Sequence, residues 1–99
     1  MPYFVYILYS KSTDQFYKGQ TSDINERLIR HNGHRNVFTS GGNPWVLLWK
    51  IMKETRQEAI ILEKKLKNLN REKLIGFMKK YNEGIVGPDE LILLEQLYS

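Results

Sequence analysis

Seven consecutive residues near the start of the chain, Tyr3-Phe4-Val5-Tyr6-Ile7-Leu8-Tyr9, are all aromatic or aliphatic. A run rich in such residues favours an extended strand. In a strand, Tyr3, Val5, Ile7 and Tyr9 point to one side, and Phe4, Tyr6 and Leu8 to the other. Both sides are apolar, so the strand is expected to be central and covered on both faces. The other elements follow from what must flank and cover it.

The polar segment Ser10–Gln15 reads as a short connection, and Phe16–Gln20 as a second strand antiparallel to the first. Thr21, Ser22 and Asp23 suit a helix start, with Ser22 as the expected N-cap and Ile24 and Leu28 on the buried side. That helix should stop near Asn32 and Gly33. The stretch from Gly33 to Pro44 reads as an irregular loop carrying His34, Arg35, Thr39 and Ser40, all able to touch phosphate. Trp45–Met52 is the third expected strand, with Trp45 and Trp49 on one face by simple alternation.

Thr55 with Glu58 three residues on matches a capping box, and Ala59, Leu62, Leu66 and Leu69 form the buried stripe of a second helix. Asn70 can cap a third helix bearing Leu74, Phe77, Met78 and Tyr81. Gly84–Pro88 is a break before a final helix, Asp89–Tyr98. The expected fold is α/β (α+β): a small three-stranded antiparallel sheet flanked by helices, in the order β-β-α-β-α-α plus a C-terminal helix. Residues 1–83 read as the main domain. Residues 84–99 read as a helical extension packed on it or at a dimer interface.

The chain has 99 residues and no cysteine, so one domain is expected, with neither disulfides nor a thiolate metal site. There is no secretory signal pattern and no apolar run of membrane-spanning length, which points to a cytoplasmic protein without a membrane partner. Fifteen basic residues against 11 acidic ones give a net charge of +4, mildly favourable for an anionic partner and equally compatible with ordinary solubility.

Arg27 and His31 are spaced i,i+4 and share one helix face. A guanidinium fork suits two phosphate oxygens, and an imidazole can orient or protonate an oxygen. The same residues also suit a solvated helix face, with His31 favourable at the helix C-terminus. Glu63 lies about 60–70° around its helix from the apolar stripe, at the core boundary. There it can hold a hard cation such as Mg²⁺ together with substrate phosphate oxygens, or simply pair with Lys67 one turn on. Tyr6 and Tyr17 approach each other if the first two strands pair, although a phenol is a weak base unless its surroundings lower its pKa. Gly19 permits close backbone approach.

These stretches, taken in order, resemble the GIY-YIG endonuclease domain, in particular its small single-domain bacterial members. The matching segments are Phe4-Val5-Tyr6, Tyr17-Lys18-Gly19, Thr21 through Leu28, and His31-Asn32. They continue through Phe38-Thr39, Pro44-Trp45, Arg56-Gln57-Glu58-Ala59 and Leu62 through Lys67, so that the likeness covers roughly Pro2 to Tyr81. The resemblance implies metal-dependent hydrolysis of DNA phosphodiesters. By the same resemblance, Glu63 anchors Mg²⁺ or Mn²⁺ and Arg27 holds the scissile phosphate. Tyr6 or Tyr17 orients or activates the attacking water, and His31 assists.

Three positions depart from the pattern. Valine and phenylalanine precede Tyr6, so the glycine of the family's name is absent. Lys18 replaces an apolar residue. Gln20 stands where some relatives carry lysine, which removes a cationic aid. A lone module of this kind implies a footprint of about 600–1,000 Å², and hence weak sequence preference, a homodimer or a protein partner. A role in DNA repair or recombination is the expected setting. RNA remains an alternative substrate, since the named groups do not sense a 2′-hydroxyl. A non-catalytic nucleic-acid-binding module retaining the nuclease fold is the alternative function.

Overall fold

A computed structural model describes residues 2–33 and 44–98. The elements run β1 (Tyr3–Ser10), β2 (Gln15–Thr21), α1 (Ile24–Asn32), β3 (Trp45–Lys53), α2 (Arg56–Lys67), α3 (Arg71–Lys80), a 3₁₀ turn (Asn82–Gly84) and α4 (Pro88–Tyr98). The antiparallel sheet has the order β2-β1-β3, with the doubly apolar strand in the centre as its composition requires. The expected architecture is therefore the observed one. The expected loop residues His34, Arg35, Thr39 and Ser40, together with Phe38, lie outside the described residues.

Each face of β1 seeds its own apolar cluster. Val5, Ile7 and Tyr9 pack with Leu48, Trp49, Ala59, Leu66, Leu74, Ile75, Met78 and Leu94, beneath α2, α3 and α4. Tyr6 and Leu8 pack with Trp45, against which Tyr17, Ile24, Leu28 and Leu47 close from β2, α1 and β3. The second, smaller cluster carries Tyr6 and Tyr17.

Trp45 and Trp49 do not share a face. Ile7 pairs with Trp49 but Leu8 pairs with Leu47, so Leu48 is an extra residue in β3. A bulge of this kind shifts the phase of alternation. Trp45 consequently joins the tyrosine cluster, whereas Trp49 joins the larger core. The Trp49 indole donates from Nε1 to the Tyr81 carbonyl at 2.9 Å, satisfying its buried polar group.

The N-cap of α1 is Asp23 rather than Ser22. The Thr21 hydroxyl accepts the Asp23 N–H at 3.1 Å, and Asp23 Oδ1 in turn accepts the Glu26 N–H at 3.0 Å, so the first helical turn begins one residue later. Thr55 caps α2 by accepting the Glu58 N–H at 3.2 Å, and its hydroxyl donates to the Glu58 carboxylate at 3.0 Å. Asn70 caps α3 as expected, accepting the Lys73 N–H at 2.9 Å. Asn32 fastens the end of α1 to the start of β3: its Oδ1 accepts the Trp45 N–H at 2.5 Å, and its Nδ2 donates to the Trp45 carbonyl at 3.2 Å.

Candidate active site

Tyr6 stands at the centre of the smaller cluster and is 2% exposed. Its pairing partner across β2 is Gly19, and the register places Tyr17 opposite Leu8, so both tyrosines project from the same side of the sheet. Their ring centroids are 6.3 Å apart. His31, from the last turn of α1, is fully buried between them. Its Nε2 is 3.1 Å from the Tyr6 hydroxyl, and its ring centre is 4.6 Å from that of Tyr17.

The electrostatics of this group follow from its enclosure. Burial pushes the Tyr6 phenol well above its usual ionisation range. The neighbouring Tyr17 and the Glu63 carboxylate push the same way, while the Arg27 guanidinium pulls it back. Burial, reinforced by the positive charges of Arg27 and Arg30, lowers His31 to about 4. The imidazole is therefore neutral at neutral pH. With its proton on Nδ1, it accepts the Tyr6 hydroxyl proton at Nε2.

Arg27 and Glu63 thus act on the same phenol from two different helices. Arg27 also lines a small polar cleft of about 250 Å³ with Tyr3, Gln20, Thr21, Ser22 and Arg56. Among the described residues its Nε is a buried donor without a hydrogen-bond partner; Glu26 Oε2 lies 3.9 Å away, beyond hydrogen-bond range. Leaving such a donor unpaired is costly, and a phosphate oxygen is an acceptor of the right charge. Glu63, from α2, is largely shielded and pairs with Lys67 at 2.8 Å.

Four of the five residues expected from the sequence therefore act on the fifth, Tyr6: Tyr17 and His31 by ring contact, Arg27 and Glu63 by charge. Two further cations border the group without having been singled out as site residues. Arg56 shares the cleft with Arg27, and Lys67 pairs with Glu63 on the helix that packs against β2. A signal for Arg56 was present, since a cation in the first turn of a helix opposes the macrodipole. Lys67 was visible in the sequence as the i,i+4 partner of Glu63.

Among the described residues, no three His, Cys, Asp or Glu side chains form a metal-binding cluster. The donor set nevertheless fits a magnesium-like ion, which keeps several waters and is commonly bound by one or two carboxylates plus substrate phosphates. Glu63 would be the residue to hold it.

A sheet flanked by helices, with two strand tyrosines, a helix arginine and a carboxylate from a following helix, matches one family. The model of the GIY-YIG catalytic domain fits residues 2–82, and the chain belongs to that nuclease family. The UPF0213 protein of Staphylococcus aureus strain Mu3 is 33% identical over 79 residues, spanning 79% of this chain and 95% of its own. The UPF0213 protein of S. aureus strain N315 matches to the same extent. The solution NMR structure of a UPF0213 protein from Bacillus halodurans is similar with a TM-score of 0.53 at 30% identity, covering 91% of this chain and 92% of that one. None of the described helices is long and apolar enough to cross a membrane.

Proposed function

We propose that the protein is a divalent-metal-dependent endonuclease that hydrolyses DNA phosphodiester bonds with little sequence preference, directed by the shape of the DNA. The observation that carries this reading is the unpartnered, buried Arg27 Nε beside a phenol that also feels Glu63. The Nε donor lacks a hydrogen-bond acceptor, and a phosphodiester oxygen supplies one.

In this reading Arg27 grips the scissile phosphate and stabilises the charge that develops on its oxygens. Arg56 lines the same cleft and adds positive charge there. Tyr6 keeps its proton, which His31 accepts as a hydrogen bond. The remaining lone pair on the Tyr6 oxygen is then available to orient a water. Tyr17, half-buried and packed on His31, walls the site on the side of β2. A divalent cation held by Glu63, Mg²⁺ or Mn²⁺, supplies further positive charge against the phosphate when bound. A homodimer or a protein partner would extend the small footprint, and repair or recombination intermediates offer the shapes such a module can read.

The test is cleavage of a panel of linear, nicked, flapped, branched and single-stranded DNA in Mg²⁺ or Mn²⁺, with Glu63→Ala beside the wild type. Cutting by the wild type alone is the expected result. Equal silence from both, with salt-dependent binding intact, would replace the enzyme by a non-catalytic binding module.

A further inference from the structure

Glu63 already has a cation. Lys67 Nζ sits 2.8 Å from its Oε2, with the carboxylate side chain 17% exposed and the lysine 55% exposed. The pair spans one turn of α2, so the ammonium is tethered near the carboxylate yet free to swing on a long stem. Its helix packs against β2, where the Tyr17 phenol favours the charge of the ammonium and the ammonium in turn disfavours charge on Lys18. Lys67 thus stands beside the expected metal ligand, on the helix that packs against the strand that walls the site.

One carboxylate cannot satisfy a divalent cation and an ammonium equally. A dication drawn to Glu63 repels Lys67 at close range and takes over the charge that held it. Resting on the nuclease reading, we propose that Lys67 is the resident counter-ion of Glu63, displaced when a divalent cation binds, and that the freed ammonium then contacts a phosphate of the nucleic acid beside Tyr17. Metal and nucleic acid are thereby linked: each favours the arrangement in which Lys67 has left the carboxylate. Without metal the charge of the lysine is balanced by Glu63. With metal it becomes one additional cation available to the substrate.

The experiment uses the full chain as wild type, Lys67→Met and Lys67→Arg, each first checked for unchanged thermal melting. Mn²⁺ is titrated into DNA-free protein, followed by its paramagnetic resonance signal. Lys67→Met, which keeps the aliphatic stem and removes the competitor, is expected to bind Mn²⁺ several-fold more tightly. Binding of a labelled single-stranded oligonucleotide is then measured against salt concentration, without metal and with Ca²⁺, a hard cation of the same oxygen preference. The expected slopes coincide without metal. With Ca²⁺ the wild-type slope, and that of Lys67→Arg, becomes steeper than that of Lys67→Met by about 0.7, the increment for one phosphate contact on a single strand.

Unchanged Mn²⁺ affinity in Lys67→Met overturns the proposal. So do slopes that already differ without metal, because Lys67 would then reach phosphate regardless of Glu63, and so do slopes that remain equal with Ca²⁺. Wild-type protein that binds no oligonucleotide under either condition overturns the nuclease reading and this proposal with it. Binding with indistinguishable slopes removes only the exchange at Lys67.

Discussion

Tyr6 can stand where it does because Gly19 has no side chain. A Cβ at Gly19 would lie 2.6 Å from the Tyr6 hydroxyl oxygen and 2.8 Å from its Cζ. The tyrosine has no room to yield, being enclosed and bonded to His31. Gly19→Ala is therefore expected to cost about 1–3 kcal/mol of stability, read by denaturant unfolding, and to lower turnover by about a hundredfold through misplacement of the phenol. Glu63→Gln should do the reverse: activity falls about a hundred- to a thousandfold, while stability shifts by less than about 1 kcal/mol because its lysine partner is solvent-exposed. His31 gives a pH signature. Its imidazole is lowered to about 4 in the folded protein against about 6.5 when unfolded. The unfolded chain takes up this proton first as the pH falls, so destabilisation begins below about pH 6.5. It is complete below about pH 4, at up to roughly 3 kcal/mol. Melting temperatures recorded across that range should show this loss, and His31→Gln should flatten it.

At the scale of elements, one side-chain amide fastens α1 to the start of β3. Asn32 both accepts from and donates to the Trp45 backbone, and this fixes the helix that supplies Arg27 and His31 relative to the sheet. Asn32→Ala is expected to cost about 1–3 kcal/mol, with activity lost beyond what the change in folded fraction explains; parallel unfolding and cleavage measurements separate the two. The same region shows what a sequence can and cannot disclose. The central place of β1 was legible because both its faces are apolar, and the caps of α2 and α3 because Thr55 and Asn70 bond within their own turns. The cap of α1 was legible only to within a residue, since Thr21, Ser22 and Asp23 are all competent and the hydroxyl of Thr21 decides among them. The phase of the tryptophans was hidden, because a bulge is set by the partner strand and leaves no mark in local alternation. The candidate residues could be listed from the sequence, yet the bond from Tyr6 to His31 crosses 25 positions and exists only once α1 has docked.

The molecule as a whole packs an apolar cluster on each side of one sheet. The larger, under α2, α3 and α4, is the main structural core; the smaller, under α1, carries Tyr6 and Tyr17. The last helix belongs to the structural side: Leu94 is fully buried there, with Leu93 and Leu97 packed against the same cluster. At about 1.5–3 kcal/mol for each fully buried leucine, a chain ending at Gly87 is expected to melt far below the intact protein or to be recovered as aggregate. Calorimetry of the soluble fraction is the check. Because Leu48 is an insertion in β3, the strand before it and the strand after it keep different time. Laying a relative that lacks the insertion alongside this chain requires a gap of one position at that point. Without the gap, the counterpart of Trp49 would be taken for a neighbour of Tyr6 and Tyr17, and a residue that only fills the core would be mistaken for part of the candidate site.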